Sequence, residues 1–181
     1  MSAENQQERL LVTEEFKWFL AGFIEGEGSI CISFKTLPET RFGYYIHPEF
    51  FIYQHKNARE LLDNAKSFFE TGNISPKPGN EDVLVYKISS RKVIKEKVIP
   101  FLDTYMRYGS KIKYHNFQVF KEIINALEDG AHKTLQGNLR IVELAYSTNH
   151  AGKQRKRPKE EIISRILRDY TSDSVVITEM I

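Results

Sequence analysis

Two glutamates, Glu25 and Glu27, flank Gly26 and are followed by Gly28, at the closing end of a stretch that reads as a helix from Thr13. Ala21, Gly22 and Gly26 would let this helix approach the same helix of a second chain about a two-fold axis, which would bring a pair of acids to one place. A glycine at position 22, inside a helix, costs about 1 kcal/mol relative to alanine, so it calls for a reason of this kind. Far along the chain, Lys153-Gln-Arg-Lys-Arg-Pro-Lys sets five basic residues in seven. Such a run would neutralise phosphates with a salt-dependent gain in affinity; a solvated face or a localisation signal is the plainer alternative.

The element carrying the acids is well bounded. Thr13 can cap it, Glu14 and Glu15 place negative charge in the first turn, and Gly26 and Gly28 can end it. Phe16, Phe19, Leu20, Phe23 and Ile24 recur at the spacing of a buried face. Ser29 to Lys35 then alternates, with Ile30, Ile32 and Phe34 on one face and Ser29, Cys31, Ser33 and Lys35 on the other. Tyr44 to His55 returns as a second, aromatic-rich strand whose polar face could read a groove of nucleic acid or be merely solvated. A helix capped by Asn57 and running to about Phe69, then a hairpin of Asn73 to Lys77 and Val83 to Ser89, repeat the order helix, strand, strand. The remainder reads as helices from Arg91, Tyr114 to Leu127, Leu135 to Tyr146 and Glu160 to Tyr170. This is an α+β pattern in which two hairpins join into one antiparallel sheet with helices on the other side.

Leu20-Ala21-Gly22-Phe23-Ile24-Glu25-Gly26-Glu27-Gly28, running on into Ser29-Ile30 and an alternating strand, resembles the signature of the LAGLIDADG homing endonucleases, with glutamate at both acidic positions. One motif and no internal repeat match the single-motif, homodimeric branch. The resemblance implies the LAGLIDADG homing endonuclease fold, a four-stranded antiparallel DNA-binding saddle sheet backed by helices. It also implies an intron-encoded enzyme that uses Mg²⁺, with Mn²⁺ able to substitute, to cut both strands of a long, near-palindromic duplex. Rivals on the same fold are a maturase with intron RNA as partner and a non-cleaving DNA-binding protein. A rival outside it is an interaction module whose tyrosine-rich sheet binds protein.

By this resemblance Glu27 ligates the catalytic metal, with the Gly26 carbonyl as an added oxygen, while Ala21, Gly22, Glu25 and Gly26 form the dimer interface. Gln54 falls where a polar residue orients water. The basic residue expected a turn later lands on Ala58, leaving Lys56 or Arg59 to substitute. Lys113, or Lys111 on another count, would stabilise charge on the scissile phosphate, and Lys113 is preferred. Ser33, Lys35, Arg41, Tyr44, His47, Tyr53, Lys77, Tyr86, Lys87 and Ser89 are the candidate DNA contacts on the strands. Lys153, Arg155, Lys156 and Arg157 resemble a phosphate-contacting loop that positions rather than specifies.

Composition sets the outer bounds. A chain of 181 residues, 41% hydrophobic, suits a single domain, expected over 13–170 between a leader (1–12) and a tail (171–181). Its formal charge of +2 neither announces nor excludes nucleic acid. The lone Cys31 excludes an internal disulfide and is expected to be a small buried residue. No apolar run reaches the roughly 18 residues of a membrane helix, so the expectation is a soluble, intracellular protein of an organelle or a prokaryotic cytoplasm.

Overall fold

A computed structural model describes residues 13–148 and 157–168. Helix α1, Glu14–Glu27, begins where Thr13 accepts a hydrogen bond from the Phe16 N–H and stops at Gly28, whose own N–H still donates to Ile24 O. A Cβ at Gly28 would lie 2.6 Å from that same oxygen, so only glycine lets the chain leave the helix directly into β1, Gly28–Thr36. Strands β2 (Tyr44–His55), β3 (Asn73–Lys77) and β4 (Asn80–Ile88) complete a four-stranded antiparallel sheet in the order β1-β2-β4-β3. Helix α2, Arg59–Phe69, joins the two hairpins. The short 3₁₀ turn before α2 is capped by the His55 ring, which accepts from the Asn57 N–H, so Asn57 is not the cap that its residue type suggested.

Helical residues follow. Helix α3 comprises Arg91–Val93, a π-helical Ile94–Val98 and Ile99–Tyr105; α4 is Lys111–Glu128, α5 is Leu135–Ser147 and α6 covers 159–168. The expected element order is therefore present. Among the described residues no helix is long and apolar enough to cross a membrane.

The chain divides into two compact units, one of the residues up to Cys31 with Pro48–Phe117, the other of Ile32–His47 with the residues from Gln118 onward. In the first, alternation along the strands sends Phe50, Ile52, Tyr86 and Ile88 inward, the Phe50 and Tyr86 rings meeting Phe69 of α2, and Leu62, Ala65, Ile94 and Val98 are likewise nearly inaccessible. Each of the larger aliphatic and phenylalanine side chains contributes about 1.5–3 kcal/mol through burial. The second unit is centred on Phe42, Tyr44, Val142, Ile162 and Ile166.

Two expectations fail at this level. Phe19 is 52% exposed and Ala21 only 4%, because the face of α1 that its own chain covers is Leu20, Ala21 and Ile24. Cys31 is exposed, since it alternates with Ser29 and Ser33 and not with the inward Ile32.

Candidate active site and nucleic-acid interface

The end of α1 and the start of α4 cap one another. The Lys113 ammonium, in the first turn of α4, donates to Ile24 O at 2.8 Å and to Glu25 O, two carbonyls of the last turn of α1. In return the Glu25 carboxylate accepts from the Ser110 N–H at 3.1 Å, and Ser110 in turn accepts from the Lys113 N–H through its hydroxyl and from Tyr114 through its carbonyl. A cation thus sits at the negative end of one helix and an anion at the positive end of the other, each worth about 0.3–1 kcal/mol. Glu25 Oε2 is buried without a hydrogen-bond partner among the described residues, and a Cβ on Gly109 would come within 2.5 Å of it. Glycine at 109 is what lets the loop pass so close.

Lys113 is half-buried, and that desolvation holds its pKa below the ordinary lysine value; the negative charges of Glu25 and Glu27 push the other way. Glu27, the last residue of α1, is exposed. Lys111, the alternative lysine, is also exposed. Carboxylate, glycine carbonyl and helix C-terminus are hard-oxygen, cation-favouring groups, so Glu27 and Gly26 fit a divalent ion. Among the described residues no three His, Cys, Asp or Glu side chains gather within the one chain, so it supplies part of a coordination shell at most.

Gln54 lies near the end of β2, opposite Leu84, with Oε1 accepting from the His55 N–H at 2.7 Å. Lys56 pairs with Asp82 at 2.6 Å and Arg59 with Asp63 at 3.2 Å, so each basic residue near Ala58 already holds a carboxylate.

On the first unit's outward sheet face, Phe51 stands opposite Lys87 and Tyr53 opposite Val85, with Asn73 and Ser75 in the same rows on β3. The Lys77 ammonium lies 5.4 Å from the Tyr53 ring centroid. Tyr53 has its pKa raised by burial first, then by the nearby Cys31 and Glu49. Tyr86 corrects an expectation: it is 0% exposed on the inward face, its hydroxyl donating to Thr71 O at 2.9 Å, so it is a core residue and no DNA contact. Ser89 is half-buried just beyond β4. Sequence reasoning missed Glu49, which pairs with Lys87 at 2.6 Å; the available signal was an acid on a face meant for a polyanion.

In the second unit Ser33 donates to His47 O at 3.3 Å, Lys35 is exposed, and Arg41 reaches Lys133 O at 3.4 Å. Tyr44 is again a correction, 5% exposed with Arg157 and Arg165 over its ring at 5.7 and 5.0 Å. Its aromatic body belongs to the core, whatever groove-reading its hydroxyl suggested. Arg157 also donates to the Thr36 hydroxyl at 2.9 Å. Lys153, Arg155 and Lys156 lie outside the described residues. In the dimer set, Gly22 and Gly26 are exposed, while Ala21 is corrected to core and the Glu25 carboxylate is turned onto Ser110.

A glycine-flanked acidic helix end beside a four-stranded antiparallel sheet defines the class, and a family model described as LAGLIDADG endonuclease matches residues 20–124. The chain belongs to that family. It is 39% identical over 132 residues to DNA endonuclease I-CeuI of Chlamydomonas moewusii, which covers 72% of this chain and 61% of that relative, so the chain spans less than two thirds of that protein's length. The structure of the group I intron-encoded homing endonuclease I-CeuI complexed with DNA superposes with a TM-score of 0.79 at 33% identity, over 86% of this chain and 77% of that one. The archaeal intron-encoded homing endonuclease I-Vdi141I complexed with DNA gives 0.77 at 32%, over 87% and 98%. I-SmaMI bound to uncleaved DNA in the presence of calcium ions gives 0.68 at 26%, over 74% and 44%.

Proposed function

We propose that this protein is an intron-encoded, site-specific DNA endonuclease that hydrolyses both strands of a long, near-palindromic duplex as a homodimer, with Mg²⁺ as its metal. The observation that carries the reading is the end of α1, where an exposed Glu27 and the half-buried Lys113 ammonium converge at a glycine-flanked helix terminus.

Homodimerisation is supported by Gly22 and Gly26. Neither has a positive φ, and a Cβ built on either meets nothing within 4 Å among the described residues. Their helix-weakening cost of about 1 kcal/mol each finds no reason among the described residues. A second backbone packed against that face supplies one, and Phe19 and Phe23, stacked at 6.3 Å, give the same face its apolar area. Two copies would double the carboxylates at the axis.

Glu27 and the Gly26 carbonyl would hold the metal, which when bound neutralises charge on the phosphate and activates water. The chain's own groups do the rest. Lys113 uses two of its three N–H donors on carbonyls, and the third remains for a phosphate oxygen. Because its partners are neutral backbone, its charge is not cancelled there. Gln54, at the end of β2, has an amide free to orient water once Oε1 leaves the His55 N–H. Exposed Lys35 and Lys77 lie on the strands that would meet the duplex.

The test is to expose a randomised duplex library to the protein with Mg²⁺ and, in parallel, with Ca²⁺, then sequence what is cut and what is retained. Cleaved products with two-fold-related half-sites are expected. Retention without cutting in Mg²⁺ would replace the reading with a DNA-binding protein, and neither outcome would point to RNA.

A further inference from the structure

The last residue of β2 is held by the turn that follows it. The His55 ring caps the 3₁₀ turn Lys56–Ala58, its Nδ1 accepting from the Asn57 N–H at 3.2 Å. A ring nitrogen that accepts this bond keeps its lone pair, so the imidazole is neutral and its one N–H proton sits on Nε2. The two nitrogens lie on either side of Cε1, so fixing Nδ1 against the turn aims the Nε2–H away from it. His55 is exposed, and no described group takes that proton.

A cap alone does not call for histidine. Serine, threonine, aspartate and asparagine make the same bond with shorter side chains. Histidine differs in leaving a single N–H donor of set direction on its far edge. The residue carrying that donor belongs to the outward sheet face, for His55 stands opposite Val83, two places on from Tyr53 opposite Val85.

The charges around it are already matched. Lys56 holds Asp82 at 2.6 Å and Arg59 holds Asp63 at 3.2 Å, so neither acid is left to repel an anion and neither cation is loose to bind one. What remains at this end of β2 is a directed, neutral donor. Base pairs are told apart by patterns of donors and acceptors, whereas one fixed N–H meets a single phosphate oxygen without reading sequence.

We infer that His55 binds one backbone phosphate of the target duplex through its Nε2–H and so fixes the end of β2 on the DNA. The inference rests on the endonuclease reading and adds a contact to it.

The test uses the full chain and the duplex that wild type selects from the randomised library in Ca²⁺. Two variants separate the two nitrogens. His55→Asn keeps an acceptor for the Asn57 N–H and loses the far donor, while His55→Gln puts an amide N–H toward the Nε2 position and gives up the cap. Thermal denaturation confirms that both fold. His55→Asn is expected to melt with wild type and to bind the duplex about ten- to 150-fold more weakly. His55→Gln melts lower, yet binds more tightly than His55→Asn. A cap without a DNA contact gives the opposite order, with His55→Asn binding as wild type does, and would overturn the inference. Because the donor is neutral, the salt slope of His55→Asn stays that of wild type. A slope flatter by about 0.9 for each His55 would make the ring a positive counter-charge and overturn the inference as well. So would a loss confined to certain base sequences, which marks a base contact, or a ¹⁵N spectrum of the free protein that places the ring proton on Nδ1. A wild type that selects no duplex would remove the endonuclease reading itself, whereas a selective wild type with an indifferent His55→Asn removes only this contact.

Discussion

Acid and lysine meet twice in the first unit, and they meet differently. On the sheet, Lys87 and Glu49 touch directly and cancel. At the end of α1, Lys113 is bound by carbonyls and Glu25 by an N–H, so each ion is held by a backbone group of the opposite polarity and not by a direct ion pair. Glu27 is left exposed beside them. A directly paired acid and base hold each other in place on the sheet. An array whose charges persist suits a place where charge must be met as it develops, because preorganised ions need no rearrangement at that moment.

That contrast is most directly broken at Glu27. Glu27→Gln is expected to abolish cutting in Mg²⁺ while duplex retention in Ca²⁺ persists, because the change removes a metal oxygen's charge and leaves the sheet untouched. A variant that cuts at the wild-type rate would remove Glu27 from its role. Gly22→Leu comes next. The chain should fold, since position 22 is exposed and a Cβ there meets nothing among the described residues, yet sedimentation should find a monomer that no longer cuts both strands. A dimeric, active Gly22→Leu would mean that the exposed face of α1 is not the interface.

Lys113→Met is expected to slow single-turnover cleavage by about 10²–10³-fold with little change in duplex affinity, the pattern for loss of a group aimed at developing charge. Lys113→Arg should recover part of the rate. If Lys113→Met instead weakens binding and leaves the rate intact, Lys113 is only the cap of α1.

The sequence made the charged helix end legible and left its wiring hidden. Glu25, Gly26 and Glu27 are local, so spacing alone brought them together. The capping of Ile24 and Glu25 by Lys113 joins residues nearly ninety positions apart and has no local trace. The faces of α1 were misassigned for a related reason. Phe16, Trp18, Phe19, Leu20, Ala21, Phe23 and Ile24 surround the helix with apolar groups, so periodicity finds more than one face and does not say which its own chain covers. Tyr44 and Tyr86 were chosen as contacts by residue type, although strand alternation had set each with the inward-facing residues. Position in the pleat, and not the hydroxyl, decided where they went.

Tyr86 gives the smallest prediction and sharpens the sheet half of the contrast, since it precedes Lys87 on the same strand and points the other way. Tyr86→Phe removes its hydrogen bond to Thr71 O and should lower stability by about 1 kcal/mol. The base preference and salt slope of duplex binding should not change. Burial raises the folded pKa of Tyr86 well above the ordinary value of 10. Its contribution is therefore fully present below pH 10 and is lost as pH rises from there toward the folded pKa, because the unfolded chain releases the proton first. Alkaline melting curves should accordingly show the wild type losing stability above pH 10 faster than Tyr86→Phe. Equal slopes for the two proteins would mean that the Tyr86 hydroxyl is hydrated in the folded state, and would restore it as a group that DNA could reach.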